Sequence, residues 1–249
     1  MLEALPNQLI AALLVSLRII PVLAFAPPFT LLRTPATIRV LLAVSLGWLL
    51  VATASPIPSF DMSTLAGAAA AEVLLGITIA LPLQLGFAAL QTAGRAIDVQ
   101  VGFGLAQIAD PTLRAQMPLV GALFSYAAAA IFFTTGGPTD LLAIWARSID
   151  SVPIGGFVLG ASLDPLLTYL RAVFLLAMGI GGAVFMTLFM LDVAIALMSR
   201  TLPQMNVLVL GFQVKTLALL MTLPMVFSLS GALFLRIVRM ALDASLGFA

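Results

Sequence analysis

The chain contains neither cysteine nor histidine. The first absence excludes disulfides, thiol catalysis and cysteine-based zinc sites. The second removes the usual general base and the commonest transition-metal ligand. Charge is scarce as well. Only 8% of the residues are Asp, Glu, Lys or Arg, against about 25% in an ordinary soluble domain. A soluble globule of this length needs far more polar residues to cover its surface. The net charge is +1 and no polybasic cluster occurs, so neither nucleic acid nor an inositol-lipid patch is an expected partner. No secretory leader is expected either: Glu3 stands where a basic segment belongs, and the first basic residue, Arg18, lies inside an apolar run.

What the chain does have is hydrocarbon. Hydrophobic residues make up 62% of its 249 positions, and the mean hydropathy is +1.20. Membrane lipid is therefore its expected surroundings, with length for about six helical spans of ~20 residues. Barrel strands alternate apolar and polar residues, whereas these runs are apolar throughout. Apolar runs cover about Leu9 to Phe29, Ile38 to Ala54, Leu65 to Ala93, Leu119 to Phe133, Pro165 to Met198 and Val207 to Val238. The expected fold is an all-α membrane protein of about six long hydrophobic helices. Pro21, Pro82 and Pro224 each remove a helical N–H and predict kinks. Between runs four and five, Leu141, Trp145 and Ile149 recur at helical spacing beside Asp140, Arg147 and Asp150. That pattern predicts a short amphipathic helix at an interface or against a partner.

Positive charge between odd and even runs (Arg33, Arg39, Arg95, Arg114, Arg200) points those turns to the cytoplasm. Arg236 and Arg239, after the sixth run, break the pattern. One reading of the mismatch is that not every run crosses the bilayer.

Catalysis is not expected. Gly102-Phe103-Gly104 lacks the third glycine of a dinucleotide fingerprint, since Gln107 stands in its place. The only lysine, Lys215, does not follow a glycine, so there is no nucleotide-binding P-loop. No Ser-x-x-Lys pattern supplies a base. No cofactor or metal is called for.

The polar residues inside apolar runs carry more information. Glu72 and Asp192 are lone carboxylates at positions where insertion costs about 2.5–3.5 kcal/mol each. Glu72 reads as a water-facing group, an inter-chain ion pair or a residue near a span end; Asp192 reads as a local or neighbouring-helix pair. The stretch from Gly94 to Pro118 is polar and glycine-rich, with Arg95, Asp98, Gln100, Asp110 and Arg114. It also holds Phe103, Leu105, Ile108, Leu113 and Met117, too many apolar groups for a plain solvated loop. Non-helical backbone at membrane depth survives only when packed in protein or facing water. A segment held inside something, such as a constriction, is one reading; an exposed loop is the other. Arg95 and Asp98, one helical turn apart, suit the base of such a segment.

Three sequence features together resemble the FliR/SctT family of type III export-gate subunits. They are Gly94-Arg-Ala-Ile-Asp98-Val-Gln100-Val-Gly102-Phe with Asp110-Pro111 downstream, the series Pro21, Pro28, Pro35 and Arg39, and Leu202-Pro203-Gln204-Met205-Asn206-Val207 leading to Gly211-Phe212-x-x-Lys215. The resemblance covers essentially the whole chain, and its Gln-Val-Gly-Phe run looks flagellar.

That resemblance implies a single integral membrane domain over 1–249: about 1–185 FliP-like, and about 169–238 a FliQ-like helical hairpin with an overlapping boundary. It implies kinked hairpins in a conical assembly, partnered by FliP-like and FliQ-like gate subunits and, on the cytoplasmic side, an FlhB-like protein. Unfolded flagellar export substrates would pass through. The location implied is the bacterial inner membrane, multi-pass, within the flagellar basal body. The family's channel plug would fall on Gly102, Phe103, Gly104, Leu105, Ile108, Asp110, Pro111, Leu113, Arg114 and Met117. Arg200, Gln204 and Lys215 would flank a cytoplasmic turn, and Glu72, Arg95, Asp98 and Asp192 would be buried or inter-subunit polar groups. A non-enzymatic, channel-forming subunit for flagellar assembly is the leading expectation. The alternatives are the equivalent subunit of a virulence type III system and, further off, a small-solute secondary transporter using Glu72 and Asp192 as ion sites.

Overall fold

The structure is a computed structural model that describes residues 4–32, 34–53, 63–103, 118–158, 160, 164–201 and 207–248. Among the described residues there are eight helices and no strand: α1 (Ala4–Phe25), α2 (Pro27–Thr30), α3 (Ala36–Thr53), α4 (Leu65–Val101), α5 (Leu119–Thr134), α6 (Gly137–Ser151), α7 (Asp164–Thr201) and α8 (Val207–Phe248). Five are long and apolar enough to cross a membrane. A sixth span exists only if α5 and α6, bent by 69° at their junction, count as one. The bend matters because α5 has 16 residues, short of the roughly 20 that a perpendicular span needs.

Three elements differ from the hydropathy reading. Helix α4 does not stop near Ala93 but continues to Val101. Leu90, Ala93, Ile97 and Val101 stay buried at three- and four-residue spacing, while Arg95 and Val99 are exposed. The drop in hydropathy there marks an exposed helical face, and the helix persists through it. Helix α8 likewise runs past Val238 to Phe248, with Ile237, Ala241 and Ser245 buried and Arg236, Arg239 and Asp243 outside. Helix α6 buries Leu141, Ile144, Trp145 and Ser148, and Ile149 lies only half-buried. The 3.6-residue turn rotates its inner face away from a strict four-residue spacing.

Contacts divide the chain into two compact units. The first comprises Met1–Gly86, Ala129–Leu170 and Val238–Ala249. Here α1 lies against α3 and α4 at glycines. A Cβ on Gly47 would come within 2.7 Å of the Ala12 carbonyl oxygen, and one on Gly76 within 2.8 Å of the Pro21 ring. The early proline series has a local role. Pro27 and Pro28 open α2, where a missing N–H costs nothing. Arg39 donates to the Thr34 carbonyl (2.8 and 3.0 Å) and to the Ala24 carbonyl at the end of α1 (3.2 Å). Pro82 sits within the unbroken α4, and hydroxyls bind carbonyls of its turn: Tyr169 donates to Pro82 O at 2.6 Å and Ser245 to Ile79 O at 2.8 Å.

The second unit comprises Phe87–Ala128 and Arg171–Ile237. In it Gly94 meets Gly121 backbone to backbone, so a Cβ on Gly94 would overlap the α5 chain. Phe124 packs edge-on to Phe227 and Phe234, with centroids 5.7 and 5.6 Å away. Gly181 accepts the end of Ile97 where a Cβ would stand 3.4 Å from it, and Ala177 is buried one turn earlier. The small pair at Ala177 and Gly181 therefore lies on a packed face.

Candidate functional site

Two polar clusters stand out, one in each unit. The first is a buried ion pair. Arg18 of α1 and Glu72 of α4 both have fully inaccessible side chains. Arg18 Nε donates to Glu72 Oε2 at 2.7 Å and Nη2 donates to Oε1 at 2.9 Å. Arg18 Nη1 donates to Ser148 Oγ of α6 at 2.8 Å, and Gly155 N–H donates to Glu72 Oε1 at 2.8 Å. Gly155 reaches that position at φ +79°, in the region that favours glycine. The fork geometry of guanidinium on carboxylate suits a site without water. Burial of a charge is tolerable only when further hydrogen bonds support it, and Ser148, the Val152 carbonyl (3.4 Å from Arg18 Nη2) and the Gly155 N–H supply them. The cluster thus ties α1, α4, α6 and the chain after α6 together at one point.

Sequence reasoning singled out Glu72 and missed its partner. The signal was present: Arg18 is a lone cation within one apolar run and Glu72 a lone acid within another, and intramembrane charges pair with each other.

The second cluster surrounds the end of α4. Gly102, at φ +104°, ends the helix. Its N–H bonds the Val99 carbonyl at 3.1 Å, and Phe103 N–H bonds the Asp98 carbonyl at 2.9 Å, the bonds of a Schellman motif. Lys215 of α8 donates to the Gln100 carbonyl at 3.1 Å, where a cation is favoured by the carbonyl end of a helix. Lys215 also pairs with Asp192 of α7. Three residues back on α8, Phe212 meets Phe103 edge-on, with centroids 6.2 Å apart. The Asp98 side chain accepts the Val120 N–H at 3.1 and 3.2 Å, satisfying a free donor at the start of α5. Arg95 is exposed and makes no ion pair with Asp98 among the described residues.

These contacts hold residue 103 and residue 118 within one unit, at the two ends of residues 104–117. Gly104, Leu105, Ile108, Asp110, Pro111, Leu113, Arg114 and Met117 lie outside the described residues, as does Gln204. Arg200 is exposed in the last turn of α7. Among the described residues, no group of three or more Asp or Glu is placed to hold a metal ion.

The FliR/SctT motif residues thus acquire local roles. Asp98 and Gly102 finish one helix and start the next. Phe212 and Lys215 grip the end of α4. Both arrangements are scaffolding.

Comparison with known proteins gives one consistent result. The family described as bacterial export proteins, family 1, matches residues 9–241. The flagellar biosynthetic protein FliR of Bacillus subtilis (strain 168) is 31% identical over 218 residues, 82% of this chain and 81% of that protein. FliR of Escherichia coli (strain K12) is 27% identical over 199 residues, 79% of this chain and 76% of that protein. The Yop proteins translocation protein T of Yersinia pestis is 28% identical over 148 residues, 58% of this chain and 57% of that protein. With nearly its whole length matched and its all-helical, apolar build, this chain belongs to the bacterial export proteins, family 1, in the FliR/SctT group.

Proposed function

We propose that this chain is a non-enzymatic, channel-forming subunit of the flagellar type III protein export gate, needed for flagellum assembly. The observation that carries the proposal is the family match across residues 9–241. The extent of similarity favours the flagellar context. The FliR proteins of Bacillus subtilis and Escherichia coli align over 82% and 79% of the chain, whereas the Yersinia translocation protein aligns over 58%.

In this reading the gate lies in the bacterial inner membrane. FliP-like and FliQ-like subunits surround the chain, and an FlhB-like protein meets its cytoplasmic side near Arg200, Gln204 and Lys215. Helices α7 and α8, of 38 and 42 residues, form the FliQ-like hairpin. Residues 102–117 act as a closing plug. The support for the plug is its mounting: Asp98, Gly102, Phe212 and Lys215 fix both of its ends in a single unit. The solute-transporter alternative loses its footing, since Glu72 and Asp192 are already engaged by Arg18 and Lys215.

The test is genetic and biochemical. Deleting the gene should abolish filament assembly and secretion of flagellar subunits, and the full-length chain supplied in trans should restore both. Tagged chain should co-purify with FliP-like and FliQ-like proteins. Normal filaments in the deletion strain would overturn the flagellar reading.

A further inference from the structure

A cavity of about 520 Å³ lies in the first unit, between α6 and the last turns of α8. Its floor is apolar: Ile144, Val238 and Leu242 are buried. Its walls carry two cations, Arg147 and Arg239, and two anions, Asp140 and Asp243. All four are exposed, and none takes part in an ion pair among the described residues.

Its position in a membrane chain gives the charges meaning. Helix α6 turns away from the apolar α5 by 69°. It buries Leu141, Ile144 and Trp145 on one side and exposes Asp140 and Arg147 on the other. Its apolar face packs on the protein and its charged face stays open, as on a surface helix. The end of α8 has the same division, with Arg239 and Asp243 outside and Val238 and Leu242 inside. Charged rims on both helices, beside helices long and apolar enough to cross a membrane, suit the depth of lipid head groups.

We propose that this cavity binds the head group of a zwitterionic aminophospholipid, phosphatidylethanolamine. Guanidinium groups suit a phosphate, which they can contact through two N–H bonds at once. The two carboxylates suit a primary ammonium, which donates three hydrogen bonds. A purely anionic lipid would face Asp140 and Asp243 unpaired. A choline head group carries a cation with no N–H to donate. Exposed Leu246, at the cavity edge, offers a surface for the first acyl carbons. The volume lies within the range of small-molecule sites, about 300–1,000 Å³. This inference requires membrane embedding; its test uses the partners named in the proposed function, and its failure would leave that function standing.

Delipidated full-length chain, purified with its co-expressed gate partners, should be titrated with phosphatidylethanolamine, phosphatidylcholine and phosphatidylglycerol, and bound lipid counted by native mass spectrometry. Phosphatidylethanolamine should half-saturate at about tenfold lower concentration than the other two. The double variant Arg147→Ala/Arg239→Ala should erase that preference. Asp140→Asn/Asp243→Asn should lose discrimination against choline and retain more phosphatidylglycerol. Soluble phosphoethanolamine should not compete at the same concentration, and competition by it would assign the cavity to a free metabolite. Equal retention of the three lipids by the unmodified protein would overturn the proposal without any variant having to fold. So would a preference untouched by both double variants, the result expected if a partner subunit fills the cavity.

Discussion

Arg18 and Glu72, 54 residues apart in sequence, meet in a two-point ion pair with no solvent access. They come from two different apolar runs, and each resolves the other's burial. Removing one partner should cost more than removing both. Arg18→Leu leaves the Glu72 charge buried and is expected to destabilise the protein by about 3–5 kcal/mol. Arg18→Leu combined with Glu72→Leu should recover part of that loss, although Ser148 and the Gly155 N–H then lose a partner. The measurement is a double-mutant cycle on thermal unfolding in detergent. Additive losses would mean that the two residues are not coupled.

The meeting of Gly94 with Gly121 gives a steric test. A methyl group on Gly94 overlaps backbone and no flexible side chain can move aside. Gly94→Ala should destabilise by about 1–3 kcal/mol, the usual range for overpacking. Gly67 has nothing within 4 Å of a new Cβ, so Gly67→Ala is the matched control and should be neutral or better in a helix. Equal accumulation of the two variants in membranes would show that α4 and α5 can separate at Gly94 without loss.

Asp98 supplies a helix-start acceptor from outside the helix it serves. Asp98→Ala leaves the Val120 N–H without this partner and is expected to cost about 0.5–2 kcal/mol. Asp98→Asn keeps an acceptor oxygen and should cost only a few tenths of that. Hydrogen exchange at Val120 would report the change locally, rising in the alanine variant and near the parent value in the asparagine variant.

Composition and apolar periodicity made the membrane class and most helices legible. Helix ends were less so, for a physical reason visible at Ile97 and Val101. A hydropathy window averages over both faces, so an exposed Arg95 hides the buried stripe beside it. The same blurring concealed the last ten residues of α8. The ion pair stayed hidden because no spacing rule links residues 18 and 72. Only the demand that a buried charge find an opposite one connects them. Lys215 reads from its position alone as a basic residue near a turn, and its contacts with Asp192 and Gln100 depend on three separate helices.

The proposed plug makes the sharpest demand on experiment. Its C-terminal mounting is Pro118 and the capped start of α5; its N-terminal mounting is Gly102 with the Phe103–Phe212 contact. The contacts that make these mountings are formed by residues outside 105–114, so the deletion of Leu105 to Arg114 is expected to leave assembly intact. Ion leakage across the inner membrane should increase, because a closed state stabilised by only a few kcal/mol (roughly the range that leaves a minor open state populated) would lose its seal. Lys215→Ala should give a milder version of the same leak. It removes the donor at Gln100 and a partly exposed ion pair with Asp192 worth about 0–1 kcal/mol, loosening the mounting while the segment remains. Leak conductance in cells carrying the assembled gate is the readout, with co-purification of partner subunits as the assembly check. An assembled deletion variant that conducts no more than the parent would remove the plug assignment and leave the export function in place.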